Sequence, residues 1–67
     1  MTEREALALA GIQIDRLRAE AATYRAAAKS LRPGSDGYDK WRDRAACSEQ
    51  LATILTVLAH RTTLGLP

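Results

Sequence analysis

The side chains best suited to covalent chemistry in this chain occur singly. Cys47 and His60 are its only thiol and its only imidazole. A thiol nucleophile needs a base beside it, and Cys47 has no histidine near it in sequence. A zinc site wants about four ligands, which one Cys and one His cannot supply. One cysteine also excludes an intrachain disulfide. There is no Ser-His-Asp set and no paired carboxylate that a cleft would hold. Gly34 and Gly37 sit among turn residues rather than in a strand-loop-helix unit, so they do not form a phosphate cradle. The expectation is a protein with no catalytic residues, no cofactor and no metal. Cys47 reads as a small buried hydrophobe. His60 reads as a solvated residue near a helix end, where its positive form suits the helix dipole.

Recognition chemistry is better represented. Six basic residues fall between positions 25 and 44: Arg25, Lys29, Arg32, Lys40, Arg42 and Arg44. Three acids, Asp36, Asp39 and Asp43, oppose them. Tyr24, Tyr38 and Trp41 lie in the same stretch. The plain reading is aromatic core packing under a solvated surface, with Asp39–Arg42 and Asp15–Arg18 paired at i,i+3. The functional reading makes Arg25, Lys29, Arg32, Tyr38, Trp41 and Arg42 a partner-binding set, since Trp, Tyr and Arg dominate binding hot spots. Arginine suits bidentate contact with either an acidic protein surface or a phosphate backbone.

These residues need elements to hold them. Alanine, leucine and arginine number 13, 9 and 8, with one valine and no phenylalanine, a composition rich in helix formers. Thr2 to Glu5 reads as a capping box. From there only Gly11 weakens the helical pattern before Pro33. Leu31 to Gly37 is dense in turn residues. Ser35 or Asp36 can cap a second helix with Asp39 in its first turn. Gly65 and Pro67 lie beyond that helix. The fold class is all-α: an antiparallel two-helix hairpin, with helices over about 3–32 and 36–62, in a single domain spanning 1–67.

A seven-residue repeat supports the hairpin. Leu7, Ile14, Ala21 and Ala28 form one column, and Ala10, Leu17, Tyr24 and Leu31 the other. The second helix offers Tyr38, Trp41, Ala45, Ser48, Ala52, Leu55, Ala59 and Thr62. Folding about the turn pairs residues whose numbers sum to about 69, which sets large residues mostly against small ones.

The run LATILTVLA, residues 51–59, exceeds what one seam needs. Ala52, Leu55 and Ala59 belong to the seam. Leu51, Ile54 and Leu58 join Cys47 in a second stripe, roughly 90–150° around the helix. Leu9 lies on the same side, and Ile12 points further outward. The other flank carries Arg18, Arg25, Arg42, Glu49, Thr53, Thr56 and His60 and is polar. Burying four Leu or Ile side chains is worth about 6–12 kcal/mol before association costs. Chains of this size usually need a staple, and self-association is the one left. The expectation is a homodimer and a four-helix bundle, with Leu9, Ile12, Cys47, Leu51, Ile54 and Leu58 at its interface. Two copies joined there would bring Cys47 near its mate, open to oxidative cross-linking.

Charge and hydropathy bound the partners. The net charge is +2, from 10 basic and 8 acidic side chains, which compels neither nucleic acid nor an acidic membrane. No stretch approaches the roughly 18 apolar residues of a membrane span. The N-terminus, with Glu3 and Glu5, is a poor signal peptide. A cytoplasmic location is expected. The leading functional reading is a small non-enzymatic regulator of bacterial or phage type, an inhibitor, anti-activator or adaptor, that homodimerises and binds another protein. A dimer of such hairpins resembles, in architecture alone, the Rop-type RNA-binding dimer. That resemblance implies a second reading as a nucleic-acid-associated regulator. A third is a structural subunit that buries LATILTVLA within a larger assembly.

Overall fold

The computed structural model describes residues 1–65 of the 67-residue chain; Pro67, expected past the end of the second helix, lies outside the described residues. Two helices, α1 (Glu3–Lys29) and α2 (Asp36–Leu64), fold back on each other as an antiparallel hairpin with principal extents of 46 × 19 × 13 Å.

Each helix end has a local cause. Thr2 is extended and its Oγ1 accepts from the Glu5 backbone N–H at 3.2 Å. The Glu5 carboxylate does reach back, but it accepts from the Thr2 hydroxyl, at 3.2 Å. α1 stops at Lys29, three residues short of the expected 32. Ser30 caps it, with its N–H and its hydroxyl both donating to Ala27 O, at 3.3 and 2.7 Å, and the Leu31 N–H then donates to Ala28 O at 3.0 Å. Pro33 explains the early stop, because it has no N–H for the Lys29 carbonyl four residues back and its ring crowds that carbonyl. Gly34 then turns the chain at φ 86°, where a side chain would be strained. Of the two candidate caps for α2, Ser35 does the work, accepting from the Tyr38 N–H at 3.2 Å. α2 runs to Leu64, two residues past expectation, and ends at a left-handed Gly65.

The threonines of LATILTVLA do not interrupt α2. Thr53 and Thr56 donate to the carbonyls of Glu49 and Ala52, one turn back, at 3.0 and 2.7 Å. A hydroxyl satisfied in this way sits in a helix at little cost.

The seam follows the seven-residue repeat. Ile14, Ala21, Ala28, Ala45, Ser48 and Ala52 are buried, and Leu7, Ala10, Leu17, Tyr24, Tyr38, Trp41, Leu55 and Ala59 half-buried. Small residues dominate the middle, and larger ones close the seam toward the ends. Two expected members stay exposed. Leu31 lies past the end of α1 and packs its Cδ1 against Gly37, where an added Cβ would come within 3.1 Å. Thr62 sits in the last turns of α2 and bonds its own helix at the Leu58 carbonyl, at 2.9 Å.

Candidate interaction surfaces

Seven-residue spacing places Arg44, Leu51 and Leu58 in one row along α2, and Lys40, Cys47, Ile54 and Arg61 in the next. Both rows flank the seam on one side. Leu51 is 52% exposed, Ile54 48%, Leu58 52% and Leu9 47%, so each is about half out of the seam. Ile12, on the outer face of α1, is 61% exposed. Cys47 is exposed as well. The expectation of a buried thiol fails for the single hairpin, because its row faces away from α1. Val57 is exposed beside Ile54 and extends the surface. The signal for it was in the sequence, three residues beyond Ile54, but a stripe defined by Leu51, Ile54 and Leu58 passes over it.

At the end holding the termini, the apolar flank opens into a groove of about 190 Å³. Leu7 and Ala10 of α1 and Leu55, Leu58 and Ala59 of α2 line it. Its apolar walls are continuous with the exposed Leu58, so groove and stripe form one surface.

The opposite flank is polar. Arg25 of α1 and Glu49 of α2 form a salt bridge across it. Glu49 raises the Arg25 pKa above its ordinary value, chiefly through their hydrogen bond, with desolvation opposing and the attraction of the two charges adding to it. The second salt bridge among the described residues is Arg16–Glu20 at 3.5 Å, within α1. The expected pairs Asp39–Arg42 and Asp15–Arg18 do not form. Arg42 instead lies over the Tyr38 ring, its guanidinium carbon 5.7 Å from the centroid.

At the turn end Tyr24 and Trp41 stack across the seam, with centroids 5.5 Å apart and rings inclined by 28°. Arg44 lies 5.2 Å and Lys40 5.7 Å from the Trp41 centroid. Trp41 is therefore engaged within the hairpin. On the polar flank, Arg25, Ala28, Lys29, Tyr38 and Arg42 line a groove of about 220 Å³. The structure thus gathers Arg25, Lys29, Tyr38 and Arg42 of the expected partner-binding set. Trp41 and Arg32 are not among the lining residues. His60 is exposed.

A larger open space of about 450 Å³ lies against Arg18, Glu49, Ala52 and Thr53. Its volume reaches the range of small-molecule sites, about 300–1,000 Å³. Four lining residues on an open flank cannot enclose a ligand as such sites do. Among the described residues, no three His, Cys, Asp or Glu side chains gather as metal ligands would, and no helix is long and apolar enough to cross a membrane. No family model matches the chain, and no curated protein or solved structure matches it either.

Proposed function

We propose that the chain is a non-enzymatic regulator that pairs through its apolar flank into a four-helix bundle and acts by binding another protein. One observation carries this reading. Leu9, Leu51, Ile54 and Leu58 stand about half exposed on one flank of a hairpin whose seam is already filled without them. Contiguous apolar surface of this kind marks an interface. A standard interface buries about 800 Å² per partner, a modest share of the 5187 Å² that the single chain exposes. A two-fold contact of the flank with itself is the simplest way to cover it.

Sedimentation equilibrium of the purified chain tests the pairing. The expected mass is twice 7.3 kDa, or 14.6 kDa. Ile54→Asp or Leu51→Asp should return it to the monomer mass. A helical, cooperatively melting species at 7.3 kDa under micromolar conditions would overturn the proposal. So would an Ile54→Asp variant that remains dimeric.

A further inference from the structure

The groove at the turn end lies on the flank opposite the apolar rows. If two hairpins join through those rows, as proposed above, both grooves face outward. We propose that this groove is the docking site for the client protein, and that it takes an acidic segment carrying one apolar anchor residue. The inference rests on the dimeric-regulator reading and names its binding surface.

Three cations, Arg25, Lys29 and Arg42, surround a small floor made by Ala28 and one large ring, Tyr38. Ala28 is buried and Tyr38 half-buried, so the floor is fixed by seam packing. Arg42 is held over Tyr38, which sets the position of one cationic wall. Arg25 is tied to Glu49 on one side, leaving Lys29 and Arg42 exposed with no salt bridge among the described residues. Carboxylates on a partner complement these two, and the volume of about 220 Å³ fits a single Leu- or Phe-sized side chain between them. A nucleic acid fits less well. Its affinity grows with the number of phosphates neutralised, and the groove offers two unpaired cations, Lys29 and Arg42, beside the ion-paired Arg25, on a chain of net charge +2. Two outward grooves on one dimer would also let a multivalent client bind with avidity.

The test uses three labelled probes on the full chain, read by fluorescence anisotropy at moderate salt. One is a peptide of Glu and Asp with a single central Leu. The second has the same charge with Ser in place of that Leu. The third is a single-stranded RNA of equal length. The first probe should bind about tenfold more tightly than the second, the size expected when one apolar side chain is buried. Lys29→Glu with Arg42→Glu should abolish that binding. Lys40→Glu with Arg44→Glu makes the same change of charge beside Trp41, on the other flank, and should leave it within about threefold, as expected for charges away from the contact. Equal losses in both double variants would mean nonspecific attraction and would sink the proposal. Equal binding of the two peptides, or tighter binding of the RNA, would do the same. Circular dichroism of each variant establishes that it folds. Because Leu51→Asp should split the dimer yet retain binding per chain, failure of the groove and failure of the pairing are read separately.

Discussion

Tyr24 of α1 and Trp41 of α2 stack across the hairpin with ring centroids 5.5 Å apart and an interplanar angle of 28°. At the neighbouring layers the seam is alanine, with Ala21, Ala28 and Ala45 buried. The two rings therefore supply much of the apolar area that closes the turn end. Trp41→Ala removes one ring and leaves Tyr24 against open space. Because Trp41 is half-buried, the expected loss is about 2–3 kcal/mol, below the 3–5 kcal/mol typical of a fully buried aromatic. Thermal melts followed by circular dichroism should show a large fall in Tm. An unchanged Tm would mean that the stack contributes nothing.

Arg25–Glu49 is the salt bridge that joins the two helices on the polar flank. Reversing one charge with Arg25→Glu should lower the Tm, and adding Glu49→Arg should recover most of the loss. The pH dependence follows from the raised Arg25 pKa. A cation with a raised folded pKa contributes stability that is fully present below its unfolded pKa and lost only as pH rises through the folded value. For arginine both values lie well above neutrality. The coupling between the two positions should therefore persist from neutral into alkaline solution while shrinking as salt is added. A coupling that disappears on moderate alkalinisation would contradict this.

The hairpin was legible because its signals are periodic. The columns from Leu7 to Ala28 and from Tyr38 to Ala59 repeat every seven residues, and repetition averages out local noise. The misjudged positions lie where a single local bond decides. α1 ends at Lys29 because Ser30 caps it ahead of Pro33. Leu31 consequently leaves the seam for Gly37. Arg42 turns to Tyr38 rather than to Asp39 because a ring four residues back offers a cation a face. Partner choice among nearby charges depends on rotamers that spacing does not fix. That is why the pairs at i,i+3 were misassigned and Arg25–Glu49 was not foreseen. The gathering of Arg25, Lys29, Tyr38 and Arg42 is likewise a product of helix register, though each residue was individually conspicuous.

The turn owes its geometry to two residues. Ser35 caps α2 by accepting from the Tyr38 N–H at 3.2 Å. Ser35→Ala should cost about 1 kcal/mol, the usual value of such a cap. Gly34 stands at φ 86° with open space around it. Gly34→Ala meets no clash, so its expected cost of about 1 kcal/mol comes from backbone conformation alone. Urea melts should show both variants shifted to lower midpoints with unchanged slopes. A Gly34→Ala variant as stable as the parent would mean that the turn adopts another conformation.

Cys47 would report on how two hairpins meet in the proposed dimer. The exposed apolar stripe of α2 on this flank, Leu51, Ile54 and Leu58, centres near Ile54 rather than on Cys47. A parallel, in-register pairing of the two α2 helices would set Cys47 against its mate. It would also set Arg44 and Arg61 each against its own copy, which like charges disfavour. An antiparallel pairing about a two-fold axis near Ile54 separates these arginines and still covers the stripe. Cys47 then lies seven residues from the axis, about 10 Å along the helix, so the two thiols are about 20 Å apart. A disulfide needs Cα atoms within about 7 Å. The exposed surface therefore argues against the cross-linking expected from the sequence. Mild oxidation should leave the wild-type chain uncross-linked on a non-reducing gel. With Cys47→Ala as background, Ile54→Cys places a thiol at the axis and should cross-link efficiently. Rapid disulfide formation through Cys47 would establish the parallel arrangement instead, in which both positions face their mates.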